Sequence, residues 1–282
     1  MVRKIIVLTA DKRQEKLVSL LDGEKGNFVW GEVDNCEKIY VLPIPVAKLD
    51  QNIIIKELLK QELINNKSND VEVKVFGGVI NAEWKAFLET FEIPYWDFME
   101  LPEVVEGNAY ITAEATAVEV LQMSECSIKG QKVMITGYGC CGQKIANIFS
   151  KLGADVVVVA RRSEVRKKAK EDGFSAVDFV QLEKELLDVN TVINTVPSMV
   201  LTETCVKTMP KGSIIVDIAS KPGGTDFEAA RNYKIAAKLA LGLPGIYTTT
   251  SSANLLKNAI SKYAPLKENK GEDQVWIFQV VI

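Results

Sequence analysis

The run Gly137-Tyr138-Gly139-Cys140-Cys141-Gly142 has the glycine spacing that does phosphate chemistry when it joins a strand to a helix. The first glycine allows the tight turn, the second lets the backbone approach a pyrophosphate, and the third lets helix pack closely on strand. The flanks suit that role. Lys132-Val-Met-Ile-Thr136 reads as a buried strand, and Gln143-Lys-Ile-Ala-Asn-Ile-Phe149 opens an amphipathic helix whose free amides would face phosphate oxygens. Any strand-to-helix turn favours glycine, but three in this setting predict a dinucleotide site. The end of the next strand says which dinucleotide. NAD enzymes usually carry Asp or Glu there, about 20 residues on, for the ribose 2′-hydroxyl. This chain reads Ala160-Arg161-Arg162-Ser163. Guanidinium groups hold phosphate through planar paired hydrogen bonds and keep their charge, so Arg161, Arg162 and Ser163 predict a 2′-phosphate and hence NADP. The chain's arginines are Arg3, Arg13, Arg161, Arg162, Arg166 and Arg231, and half of them fall in this stretch. The alternative is a solvated helix start shared with Lys167, Lys168 and Lys170. Two later strand ends, Asn194-Thr195-Val196-Pro197 and Asp217-Ile-Ala-Ser220, are expected to border the nicotinamide, because ligands of open α/β sheets collect at that edge. Cys140 and Cys141 lie beside the phosphates, as packing residues rather than redox centres.

The elements that must position these residues alternate in type, the pattern of parallel sheets with crossover helices. In the first half, strands are expected over 4–9, 38–42, 71–76 and 95–96, and helices over 13–21, 53–64 and 83–91. Pro43 and Pro45, Gly77-Gly78 and Pro94 punctuate them. A helix from Thr112 to Met123, rich in helix formers, links this half to the next. Strands then follow at 131–136, 155–160, 191–194 and 213–219, with helices at 142–152 and after Ser163, and a last helix at 251–263. The expected fold is α/β: two Rossmann-like domains with parallel sheets, joined by linking helices, with a cleft between them. Residues 1–118, completed by 252–282, form the substrate or partner domain, and 119–251 form the NADP-binding domain.

A length of 282 residues suits two such domains, and 47% apolar with 25% charged residues is a globular composition. No apolar run approaches the roughly 20 residues of a bilayer span. The N-terminus enters a strand directly without a secretory signal, which places the chain in the cytoplasm with no membrane partner. A net charge of −3 argues against a broad hold on nucleic acid. The cysteines, Cys36, Cys126, Cys140, Cys141 and Cys205, lack Cys-x-x-Cys spacing, so neither a disulfide framework nor a metal site is expected. There is no histidine, which excludes hydride transfer with a histidine acid or base.

Several stretches in order along nearly the whole chain carry a family likeness. They are Ala10-Asp11-Lys12-Arg13-Gln14, Leu42-Pro43-Ile44-Pro45, Thr112-Ala113-Glu114, the glycine loop, Ala160-Arg161, Asn194 to Pro197, Asp217 to Phe227, and Leu241-Gly242-Leu243-Pro244-Gly245. With them the sequence resembles the family of dipicolinate synthase A subunits. The segment Asp217 to Phe227 followed by Leu243-Pro244-Gly245 is the most specific. Ala115-Thr116 and Gly245-Ile-Tyr-Thr-Thr-Thr250 depart from the family, which has glycine at the first and a Pro-Lys-Thr-Ala-Gly run at the second. The resemblance implies an oxidoreductase that works with a flavoprotein-like B subunit to oxidise a dihydrodipicolinate-type intermediate to dipicolinate in sporulation, with a nicotinamide cofactor as hydride acceptor. Such a small dicarboxylate substrate calls for cationic donors, and Arg13 and Lys221 are the candidates. The alternative for Arg13 is a surface arginine opening a helix, and for Lys221 a solvated loop lysine. Aromatising a dihydropyridine also releases a proton. Asp11, Glu114 and Asp217 are candidate bases, and sequence does not choose between them. Glu114 has the alternative of an early helix carboxylate and Asp217 that of bracing a turn. Other readings remain: a different two-domain NADP dehydrogenase, an NADP-binding regulatory or scaffold subunit without its own turnover, and assembly as a homo-oligomer.

Overall fold

The computed structural model describes residues 2–32, 34, 36–265 and 274–282. Along the chain, β1 (Arg3–Thr9), α1 (Lys12–Leu20), β2 (Glu24–Gly26) and β3 (Glu37–Val41) come first. A 3-10 turn over Val46–Gln51 leads into α2 (Ile53–Ser68), β4 (Val73–Gly77), α3 (Ala82–Thr90) and β5 (Tyr95–Asp97). After α4 (Pro102–Met123) come β6 (Lys132–Thr136), α5 (Cys140–Lys151), β7 (Asp155–Val159), α6 (Ser163–Glu171) and β8 (Ser175–Val177). The chain continues through α7 (Leu182–Glu185), β9 (Thr191–Asn194), α8 (Glu203–Thr208), β10 (Ile214–Asp217), α9 (Phe227–Asn232) and β11 (Ala236–Leu239). It ends with α10 (Leu243–Ile246), α11 (Thr249–Tyr263) and β12 (Val275–Val281).

These elements form two compact units, Met1–Asn108 with Thr248–Ile282, and Ala109–Tyr247. The first unit carries a six-stranded sheet in the order β2-β12-β1-β3-β4-β5, parallel throughout. That is a doubly wound 2-1-3-4-5 arrangement with β12 inserted beside β1. Alternate residues of β1 face opposite cores. Ile5 and Val7 join one cluster with Leu17, Leu256 and Ile260, while Ile6 and Leu8 join another with Leu59, Leu63 and Trp84. Burial on both faces is why such strands read as continuous apolar runs.

The second unit has the order β11-β10-β9-β6-β7-β8, again all parallel, which is the 3-2-1-4-5-6 order of a dinucleotide-binding fold when β6 is counted first. Val133 and Ile135 of β6 pack with Ile145, Ala146 and Phe149 of α5, and Met134 turns to the opposite core. The two sheets bear out an α/β fold of two Rossmann-like domains.

Three differences from the sequence reading have physical causes. The linking helix α4 begins at Pro102 rather than Thr112. A Cβ on Gly107 would stand 2.6 Å from Leu255, so glycine lets the first turns of α4 lie close against α11, and the first unit runs to Asn108 within α4. The short edge strands β2, β8 and β11 were not expected. β12 was not assigned either; of the 252–282 segment, residues 266–273 lie outside the described residues.

Candidate dinucleotide site

The glycine loop sits between β6 and α5 with its backbone set by close approach. Gly137 has φ +90, a conformation only glycine adopts without strain, and a Cβ there would lie 2.4 Å from Thr195 Oγ1. A Cβ on Gly142 would lie 2.5 Å from the carbonyl oxygen of Gly137, so the third glycine lets α5 pack onto the turn. Gly139 differs: a Cβ there would meet no atom within 4 Å, and the residue lines a cavity. Gly139 is also the N-cap of α5 and offers no side-chain cap, so the helix presents backbone amides and its positive dipole end. These features fit a pyrophosphate.

The cavity has a volume of about 790 Å³, within the range of small-molecule sites. Gly137, Tyr138 and Gly139 line it with Ala160, Arg161 and Arg162, and Phe179, Val180, Met199 and Val200 supply apolar walls. Arg161 and Arg162 are exposed, and among the described residues neither makes a side-chain ion pair. Their neighbour Arg166 is already engaged: it donates to the carbonyls of Ala160 (2.8 Å) and Arg161 (2.6 Å) and to Asp178 Oδ2 (2.5 Å). Tyr138 is buried, and its hydroxyl donates to Asp172 Oδ2 at 2.8 Å. Burial, then the neighbouring Asp172 carboxylate, push that phenol above its ordinary range. Cys140 is exposed at the first turn of α5, while Cys141 is half-buried and packs against the core; burial, then Cys140, raise the Cys141 thiol. Ser163 starts α6 and is exposed.

Behind the loop a polar ladder crosses the sheet. Thr136, Asn194 and Asp217 are register neighbours at the last positions of β6, β9 and β10, all fully buried. Thr136 Oγ1 donates to Asn194 Oδ1 (2.6 Å), and Asn194 Nδ2 donates to Asp217 Oδ1 (2.9 Å). Asp217 also accepts from the amides of Ala219 (3.0 Å) and Gly224 (2.8 Å) and from Thr225 Oγ1 (2.8 Å). The sequence reading sets Asn194 and Asp217 beside the nicotinamide and Asp217 among the candidate bases; in the structure both are engaged at the sheet edge. Their polar atoms face one another and the loop backbone, and Asp217 braces the Asp217–Thr225 turn. Thr195 likewise turns inward, donating to the Thr136 carbonyl at 2.8 Å. Val196 lines the cavity, whereas Pro197 and Ser220 are exposed outside its lining, as is Lys221.

In the first unit, Asp11 caps α1, accepting from the Gln14 amide at 3.1 Å. Its Oδ2 also receives Arg13 Nη2 (3.2 Å) and Lys48 Nζ (3.3 Å). Burial alone would push the Asp11 carboxyl up, but Arg13, Lys48 and the Gln14 amide outweigh it and hold it below the usual carboxylate range. Such a carboxylate is a weak proton acceptor. Arg13 is 8% exposed, and its buried Nε has no hydrogen-bond partner among the described residues. Lys48, from the 3-10 turn, is a cation that sequence reading missed; only the sheet order brings its turn to the end of β1. Glu114, a candidate base, stands exposed in the middle of α4, and because that helix starts at Pro102 the alternative of an early helix carboxylate does not apply.

The comparisons with known proteins agree with this architecture. Over 281 aligned residues the chain is 28% identical to the A subunit of dipicolinate synthase from Bacillus subtilis (strain 168), covering 92% of this chain and 95% of that protein. The solved structure of the dipicolinate synthase A subunit from Bacillus halodurans superposes with a TM-score of 0.76 at 25% identity, covering 94% of this chain and 98% of the other. That of the Bacillus subtilis protein gives 0.74 at 26% identity, covering 93% and 96%. The likeness to dipicolinate synthase A subunits expected from the sequence therefore holds over nearly the whole length. The family model for the alanine dehydrogenase/PNT C-terminal domain matches residues 104–281, which takes in the glycine loop, the arginine turn and the polar ladder. This chain belongs to the alanine dehydrogenase/PNT C-terminal domain family, a family of dehydrogenase-type oxidoreductases.

Proposed function

We propose that this chain is an oxidoreductase of the dipicolinate synthase A-subunit type, which binds NADP in the second unit and oxidises a dihydrodipicolinate-type dicarboxylate to dipicolinate. The observation that carries the cofactor reading is the pair Arg161 and Arg162, with no counter-ion among the described residues, on the wall of the cavity that the glycine loop also lines. A ribose hydroxyl needs no such charge, whereas a 2′-phosphate does. Gly137, Gly139 and the start of α5 would hold the pyrophosphate, with Ser163 beside the 2′-phosphate and Val196 towards the nicotinamide. The bound cofactor would supply a hydride acceptor, so that loss of a hydride and a proton aromatises the substrate ring.

Arg13 is the strongest candidate for gripping a substrate carboxylate, since among the described residues its buried Nε lacks an acceptor and Lys48 adds a second positive charge beside the same Asp11. Lys221, the other cation expected at the substrate, is exposed in the second unit. Likeness to one component of a multi-subunit synthase also supports work with a flavoprotein-like second component, in the cytoplasm of a sporulating cell. A second reading, a dinucleotide-binding protein that turns over only with its partner, has its own support. Asp11 is held as an anion by two cations, and the Asp217 carboxylate is taken up in bracing its own turn.

Titration of NADPH and NADH, followed by nicotinamide fluorescence, tests the cofactor reading; NADPH should bind at least about tenfold more tightly. Equal affinities would remove the NADP reading. Turnover of dihydrodipicolinate by the chain alone, and then with the second component, separates the two functional readings.

A further inference from the structure

We propose that Arg166, which does not line the cavity, is a positioning residue for cofactor choice, acting together with Asp178. The inference rests on the NADP reading and deepens it. Arg166 lies within α6, on the inner side of the arginine turn. One nitrogen of its guanidinium, Nη1, is shared by three acceptors: the carbonyls of Ala160 and Arg161, and Asp178 Oδ2. Asp178 in turn caps the following 3-10 turn, accepting from the Val180 amide at 3.2 Å, with Gln181 completing a capping box. Ala160, Arg161 and Arg162 line the cavity from one segment, and Phe179 and Val180 from the other. One side chain thus ties together two segments of the cavity wall.

The electrostatic consequence is selective. With Arg166 in place, the Asp178 carboxylate is neutralised, the two carbonyl dipoles are turned onto a cation, and Arg161 and Arg162 are left exposed to meet a ligand. Without it, an uncompensated carboxylate and a loosened turn would remain beside the arginine pair. A dianionic 2′-phosphate would feel that loss strongly, and an uncharged 2′-hydroxyl scarcely at all. A residue that merely held the fold together would affect both cofactors alike.

The test measures NADPH and NADH dissociation constants for the full chain as wild type, Arg166→Ala, Arg166→Lys and the double variant Arg166→Ala/Asp178→Asn. Arg166→Ala should weaken NADPH by about tenfold and NADH by less than about twofold. Arg166→Lys keeps the charge, but its head group cannot occupy the position of Nη1 among the three acceptors as closely, and it should lose about threefold for NADPH alone. The double variant removes the stranded carboxylate and should recover part of the NADPH affinity. Equal weakening of both cofactors, or no change in their ratio, overturns the proposal. Should Arg166→Ala not fold, the ratio for Arg166→Lys decides by itself. Absence of any NADPH preference in the wild type, seen before a substitution is made, removes the NADP reading and this inference with it.

Discussion

At the scale of single residues, the three glycines of the loop make different demands and should fail differently when changed. Gly139→Ala adds a methyl group that meets no protein atom but stands in the cavity. It should leave the thermal midpoint close to wild type while weakening NADPH at least about tenfold. Gly142→Ala drives the same methyl group onto the Gly137 carbonyl, and Gly137→Ala adds the strain of a left-handed alanine. Both should destabilise the fold by about 1–3 kcal/mol, read by urea unfolding without ligand. If Gly139→Ala proved as unstable as Gly142→Ala, the assignment of Gly139 to the ligand would be wrong. In the first unit, Asp11 predicts a pH dependence of defined sign. Its folded pKa lies below the unfolded one, so its contribution to stability is present above the unfolded value and is lost as pH falls through the folded value. The stability gap between wild type and Asp11→Asn should therefore be constant at neutral pH and close below about pH 4. A gap that widened on acidification would contradict the arrangement of Asp11 between Arg13 and Lys48.

At the scale of elements, the ladder Thr136–Asn194–Asp217 fixes the carboxyl ends of β6, β9 and β10 against one another and so shapes the floor under the glycine loop. Among the described residues the buried Asp217 carboxylate is met by hydrogen-bond donors from Asn194, Ala219, Gly224 and Thr225. Asp217→Ala strands those donors and should cost about 3 kcal/mol or more in urea unfolding. A loss under about 1 kcal/mol would mean that the turn does not depend on this carboxylate. The same elements show what sequence could and could not reveal. β6, β7 and β9 were legible because burial on both faces produces runs such as Asp155–Val159, and the glycine loop was legible because its spacing is itself the backbone requirement. β11, Ala-Ala-Lys-Leu, carries little strand propensity and is held as an edge strand by its partner β10. Asp217 read equally well as base or brace, since only the register that sets it opposite Asn194 decides. Lys48 carried no signal in the sequence, and Arg166 read only as one more cation of the arginine stretch; what distinguishes them is the set of acceptors that tertiary structure brings to each.

At the scale of the molecule, the first unit depends on its last strand. β12 carries the β-branched and aromatic run Val-Trp-Ile-Phe-Gln-Val-Val, yet its pairing with β1 joins opposite ends of the chain, so nothing local announced where it goes. It lies between β1 and β2, and Ile277, 1% exposed, packs into the core with Ile5, Leu256 and Ile260. Ile277→Ala should cost about 2–5 kcal/mol within that unit. The spectroscopy to localise this loss is built into the sequence, because Trp30, Trp84, Trp96 and Trp276 all fall in the first unit. Tryptophan emission therefore reports that unit, while far-UV circular dichroism reports both. In urea, Ile277→Ala should bring the tryptophan transition down by about 1–2 M and leave a later dichroism transition, from the glycine-loop unit, where wild type has it. Such a split follows if each unit buries its own core on both faces of its own sheet, as the separate clusters indicate. If tryptophan emission and the whole dichroism signal instead fall together at the lower urea concentration, the second unit draws its stability from the first. Cofactor binding would then be lost with β12 despite the distance in sequence between that strand and the glycine loop.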